Sequence, residues 1–255
     1  MAYKIGLKLW SINTGVYFQE AKRLYADGFF DYIELYIIPS SIETLSKWRT
    51  VNIPFTIHCP HFVHGFNLAQ AEKKSSNLII YEEVKNFADA LAADYIIFHG
   101  GNRGNIEETA RQLINFNESR ALIENKPYFT LPRPEGVKRC VGATPEEIQF
   151  VKNSAKCGFC LDFGHAVCSA NSQGKEPYGY IEEFMRLNPT MFHIAGCEDI
   201  TSPLDTHLHL SAGHQNPGFY KRILPPTAKV TLETEKDSAK NLNDFIGDVQ
   251  WMKSL

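Results

Sequence analysis

Nowhere in the 255 residues do eighteen apolar residues run together, so no segment reads as a membrane-spanning helix. The opening stretch MAYKIGLKLWSINTG lacks the long apolar core of a secretory leader, and a cytoplasmic protein with no membrane association is expected. Cysteine is sparse. Six residues at irregular spacing do not make the dense framework of a small secreted domain, which points to reduced thiols. Cys157 and Cys160 have the spacing of a redox or zinc pair, but no second such pair exists. Cys160 also falls within the apolar run GFCLDF, so both read as buried structural thiols. There is no long low-complexity stretch to suggest a disordered arm. Strong charge of either sign is missing too: a net −3 gives no global attraction to nucleic acid, and by itself neither supports nor excludes a phosphate substrate. Nothing in the chain calls for an obligate protein partner.

What is present is a regular alternation of short apolar runs with longer amphipathic ones, the pattern of repeated βα units on a parallel sheet. The length suits a single (β/α)8 barrel domain spanning residues 1–255. Eight strands are expected: Lys4 to Leu9, Tyr32 to Tyr36, Phe55 to His58, Tyr95 to His99, Ala121 to Glu124, Gly158 to Asp162, Met191 to Ile194 and Lys229 to Glu233. Helical patterns lie near Tyr17 to Asp27, Ile42 to Arg49, Ala71 to Ala92, Ile106 to Asn117, Pro145 to Ser154, Tyr178 to Leu187, Pro217 to Arg222 and Ser238 to Met252. The start Thr144-Pro145-Glu146-Glu147 supplies a capping hydroxyl, a proline at the first helical position and acids facing the positive end of the helix dipole.

Nine side chains able to bind metal sit at or just beyond the ends of strands three to eight: His58, His99, Glu124, Asp162, His165, His193, Asp205, His207 and Glu233. The C-terminal ends of barrel strands are where active sites of this architecture are built. Imidazole and carboxylate donors without cysteine suit zinc, manganese or iron(II). Nine donors exceed what one ion takes, since tetrahedral zinc needs about four, so two or three ions sharing a bridging carboxylate are expected. Asp205 and His207, two apart, share a side only if the backbone there is extended. On strand three, His58 ends the strand, whereas His61 and His64 lie in the loop and compete for the same role. Two long segments follow donor-bearing strands, residues 126–143 with three prolines and four basic residues, and residues 195–219. Both read as working loops. His61, Phe66 and Arg103 are expected to contact substrate. The remaining basic residues, Lys126, Arg133, Lys138, Arg139, Lys221 and Arg222, are scattered without a dense stripe.

These pieces carry a resemblance. His58-Cys-Pro followed by Asn67-Leu68, Phe98-His99-Gly100-Gly101, Glu124-Asn125, Cys160-Leu-Asp162-Phe-Gly-His165-Ala, His193, Asp205-Thr-His207 and Leu232-Glu233-Thr234 together resemble the endonuclease IV (AP endonuclease family 2) branch of the xylose-isomerase-like TIM barrels. The resemblance runs from strand three to strand eight. It implies a trinuclear zinc centre, with His58, His99 and Glu124 on one ion and with Glu124, Asp162, His193 and Glu233 on a second. His165, Asp205 and His207 would hold the third. It further implies a DNA-repair hydrolase that cuts DNA at abasic sites, or a related phosphate ester, with Glu124 and Glu233 as the catalytic carboxylates. Sugar isomerases and epimerases of the same barrel use a single Mn, Mg or Co ion held by residues equivalent to Glu124, Asp162, His193 and Glu233, so a small sugar substrate stays open. The chain also departs from the endonuclease pattern. An Arg expected after strand two is absent from Tyr36-Ile-Ile-Pro-Ser-Ser, and His61 stands where a Tyr is expected after strand three.

Overall fold

A computed structural model of the protein describes residues 3–131 and 136–255; Pro132, Arg133, Pro134 and Glu135 of the first long loop lie outside the described residues. Eight parallel strands close into a barrel in chain order. They are β1 (Lys4–Trp10), β2 (Tyr32–Tyr36), β3 (Phe55–His58), β4 (Ile96–His99), β5 (Ala121–Glu124), β6 (Gly158–Asp162), β7 (Met191–Ile194) and β8 (Lys229–Leu232). Five of these have the bounds expected from sequence, because Gly, Pro, Asn or Asp stops each apolar run abruptly.

The helices are α1 (Val16–Ala26), α2 (Leu45–Trp48), α3 (Lys74–Ala90), α4 (Ile106–Phe116), α5 (Pro145–Ala155), α6 (Phe163–Ser172), α7 (Pro177–Met185), α8 (Pro217–Ile223) and α9 (Asn243–Ser254). The sequence reading missed α6, which begins directly at the end of β6. Asp162 is its N-cap and accepts from the His165 backbone N–H at 2.7 Å. The expected helix at Ile42 to Arg49 is instead a 3-10 turn, Ile42–Thr44, running into the short α2. None of the described helices is long and apolar enough to cross a membrane.

Side chains alternate across each strand, so the barrel has two apolar environments. Outward residues such as Leu7, Ile33, Ile57, Phe98, Ile123, Leu161 and Ile194 pack under the helices in one large cluster. Inward residues Tyr32, Ile97, Leu122, Cys160 and Met191 form a separate plug inside the barrel. Continuing the inward set two residues along every strand gives a polar layer. Lys8, Glu34, His58, His99, Glu124, Asp162, His193 and Glu233 thus come one from each strand or its immediate end. Parallel pairing puts several of them side by side, with Lys8 opposite Glu34, His99 opposite Glu124 and Asp162 opposite His193. Cys157 and Cys160 are both free thiols.

The two long segments fold back over this layer. After β5 the chain makes antiparallel bridges, Phe129 with Arg139 and Asn102 with Cys140. After β7, Gly196 bridges Leu208 and returns Asp205 and His207 to the barrel mouth.

Candidate metal centre

Burial of this many charged groups is tolerable only if each finds partners or an ion. Glu124 is at the hub. His58 Nε2 and His99 Nε2 both lie 3.0 Å from its Oε2, and His165 Nδ1 lies 3.0 Å from its Oε1. His193 Nδ1 is 2.7 Å from Glu233 Oε1, 3.4 Å from Glu124 Oε2 and 3.9 Å from Asp162 Oδ2. On the far side, Asp205 Oδ2 stands 3.2 Å from His165 Nε2 and 2.7 Å from His207 Nε2. All nine donors expected from sequence therefore fall in one connected cluster. Four overlapping donor groups in the cluster have atoms close enough to share an ion: Glu34, His58, His193 and Glu233; His58, His99 and Glu124; Glu124, Asp162 and His165; and His165, Asp205 and His207.

Two residues of the cluster were missed by the sequence reading. Glu34 is fully buried, accepts from His193 Nε2 at 2.8 Å and from Thr231 Oγ1 at 2.6 Å, and pairs with Lys8 Nζ at 3.0 Å. Lys8 also pairs with Glu233. The signal was available, since each is a charged residue inside an otherwise apolar strand. Neither lies where an apolar run gives way to turn residues, so neither carries the strand-end signal of the other donors.

Asp205 and His207 meet by a route that extended backbone does not supply. His207 adopts a left-handed conformation with φ near 49°, and its Nδ1 donates to the Glu233 carbonyl at 2.7 Å. That turn, rather than a strand, aims both side chains at His165.

Of the three histidines after β3, His58 joins the cluster. His64 is taken up by the Tyr36 hydroxyl, 2.7 Å from its Nδ1, while His61 caps a one-turn 3-10 helix and faces the cavity. Phe66, expected to contact substrate, does not line the cavity. It is buried in the outer core, where its ring packs near Phe98 and Phe116, because the loop turns inward at Gly65 and takes Phe66 under the helices. Arg103 does not reach the cavity either. With positive φ it faces a neighbouring groove beside Lys73 and Lys138.

Hydrogen bonds of the ring nitrogens test whether a metal fits. Nδ1 of His58, His165 and His207 donates to the carbonyls of Cys59, Asn125 and Glu233, which leaves each Nε2 lone pair aimed into the cluster. His193 is reversed: Nε2 donates to Glu34, so the lone pair is on Nδ1. His193 Nδ1 and Glu124 Oε1 are buried without a well-formed hydrogen bond, although charged partners stand within 3.4 Å. Converging lone pairs fixed from behind by carbonyls and a carboxylate are the arrangement of metal ligands, and the residues present fit one or more divalent ions.

Without metal, protons take over part of this role. Burial opposes the charged form of His165, but Asp162 and Asp205 outweigh it and push the imidazole up to about 10. Asp205 likewise overcomes burial and raises His207 to about 9. Burial raises Asp162 to about 6 against the pull of His165. Burial resists ionisation of Glu34, yet His193 and Lys8 bring it down to about 2. At His99 and His61 burial wins and holds both rings neutral.

Above the cluster is a cavity of about 300 Å³. Trp10 at the end of β1 lines it, with residues of three barrel loops: His61 with Phe62, Lys126 with Phe129, and Pro203 with Asp205.

No protein-family model matches the chain, and no curated protein matches it. Solved structures do match. A D-tagatose 3-epimerase-like protein superposes with a TM-score of 0.70 at 17% identity over 98% of this chain and 96% of its own. Endonuclease IV from Thermus thermophilus gives 0.70 at 19% identity over 99% and 100%. An AP endonuclease of family 2 from Brucella melitensis gives 0.67 at 14% identity over 99% of each chain. At these identities the likeness establishes the fold alone, a (β/α)8 barrel. This chain carries a histidine and carboxylate cluster at the C-terminal mouth of that barrel.

Proposed function

We propose that this protein is a zinc-dependent phosphoesterase, hydrolysing DNA at abasic sites or a related phosphate ester through a trinuclear centre. One observation carries the reading. His165, Asp205 and His207 form a donor group of their own beyond the four residues that suffice for a single ion, with two imidazole Nε2 atoms within 3.2 Å of one carboxylate oxygen. A one-metal enzyme has no use for this group.

Bound zinc ions would supply Lewis-acid polarisation of the ester and a water of lowered pKa. His58, His99 and Glu124 would hold one ion, Glu124 with Asp162, His193 and Glu233 a second, and His165, Asp205 and His207 a third. Glu124, at the hub among His58, His99 and His165, would orient the reacting water. Glu233 lies between His193 and Lys8, which keep it ionised although burial resists this. The loops carrying Phe62, Phe129 and Pro203 restrict solvent above the cluster.

The second reading is a sugar isomerase or epimerase using one Mn or Mg ion. Its support is that carboxylate oxygens of Glu124, Asp162 and Glu233 all stand within 3.9 Å of His193 Nδ1. Metal analysis of protein purified without chelator separates the two. About three zinc per chain, with cleavage of a duplex bearing one abasic site or of a small phosphodiester, is the expected result. A single ion with exchange of a ketose epimer would select the second reading.

A further inference from the structure

Lys126 follows Glu124 and Asn125 out of β5 and is pinned by its backbone N–H to the Gly142 carbonyl at 2.9 Å. Its side chain lines the cavity, yet the residue is only 9% exposed. Among the described residues no carboxylate lies within ion-pair distance of its ammonium. The other lysine of the cavity is committed, since Lys8 pairs with Glu34 and Glu233, and Arg139 on the same loop pairs with Glu147. The Lys126 charge disfavours protonation of the His61, His99 and His165 rings. A buried cation without a counter-ion is costly unless the site receives an anion. Zinc loading sharpens the point. Three divalent ions would exceed the combined charge of Glu34, Glu124, Asp162, Asp205 and Glu233, so Lys126 would add to a positive field.

The opposite wall is aromatic, with the Trp10 ring 6.1 Å from Tyr36 and Tyr36 5.3 Å from His58. A cavity near 300 Å³ is at the small end of ligand sites and suits one phosphoryl group with one ring. Resting on the phosphoesterase reading, we propose that the substrate is a small phosphate ester, not a duplex. Lys126 receives an anionic phosphoryl oxygen, and a sugar or base-sized organic group lies against Trp10 and Tyr36.

The test is calorimetric titration of inorganic phosphate into zinc-loaded wild type, Lys126→Met and Lys126→Arg, with zinc content measured on each. Loss of a charge-assisted contact predicts about ten- to a hundredfold weaker binding in Lys126→Met, with most of it restored in Lys126→Arg and zinc unchanged. In wild-type protein, phosphate should also slow amine-reagent labelling of Lys126, a readout that does not depend on a variant folding. Equal phosphate affinity in wild type and Lys126→Met, or labelling indifferent to phosphate, overturns the assignment. So does a higher kcat/KM on an abasic-site duplex than on a single-ring phosphodiester. If wild type hydrolyses no ester while Lys126-dependent phosphate binding persists, the phosphoesterase reading fails and the anion site stands. If hydrolysis proceeds with Lys126-independent phosphate binding, the reverse holds.

Discussion

Glu34 shows how one buried carboxylate can fix a ligand. Its contact with His193 Nε2 sets the tautomer that leaves Nδ1 free, and its pair with Lys8 compensates its own charge. Glu34→Gln removes that charge while nearly keeping the shape. Metal affinity at the His193 position is expected to fall about 10- to 100-fold, read by competition with a chromogenic chelator, with the far-ultraviolet circular dichroism unchanged. His207→Ala removes a donor from the third group only. Zinc content should drop by about one ion per chain by plasma emission spectrometry, and phosphodiesterase activity with it, whereas an epimerase activity would survive. Both variants address single contacts, and each leaves the barrel core intact.

At the level of elements, loops bring the third donor group and the cavity wall into place. The β4 exit is tight: a Cβ on Gly100 would stand 2.2 Å from the Val141 carbonyl oxygen, on the segment that follows Lys126 and returns over the cavity. Gly100→Ala must push that segment away. A loss of about 1–3 kcal/mol in urea denaturation is expected, together with weaker phosphate binding. At the start of α5, Thr144 accepts from the Glu147 N–H at 3.3 Å, so Thr144→Ala should cost about 1 kcal/mol with no change in metal content. The strands and this cap were legible because their signals are local: an apolar run stopped by turn residues, a hydroxyl before proline and two acids. Helix α6 was not, since its first turn coincides with a donor motif whose Asp162 serves as both strand end and helix cap. Phe66 misled for a related reason. An aromatic residue in a loop near a site looks the same in sequence whether it turns toward solvent or under the helices.

At the scale of the whole molecule, metal, protons and folding are linked. In the metal-free protein, His165 and His207 titrate near 10 and 9, above the value of about 6.5 for an unperturbed histidine. The folded state therefore binds their protons more tightly than the unfolded state does. Their stabilisation is complete below about pH 6.5 and is lost as pH rises through 9 to 10. Thermal midpoints of chelator-treated protein should fall across that interval. Zinc held by these histidines would compete with the protons, so zinc-loaded protein should show a higher midpoint and a flatter pH profile, with proton release on binding visible in buffers of different ionisation enthalpy.

The sequence alone determined the eightfold alternation, the class of fold and nine side chains able to ligate a metal at or beyond strand ends. Each follows from local periodicity: every second residue of a buried strand faces the same way, and a polar residue where the apolar run stops must lie at a mouth. Tertiary structure decided what periodicity cannot encode. Closure of the barrel set Lys8 against Glu34 and Glu34 against His193, a chain of contacts between residues 26 and 159 positions apart. The left-handed turn at His207 brought the third group to His165. Folding of the β5 loop over the mouth buried Lys126 without a carboxylate among the described residues, while Phe66 went to the core and Arg103 to a separate groove. Charges separated by so much chain meet only through the register of paired strands and the path of loops, so their pairing becomes readable only once the barrel has closed.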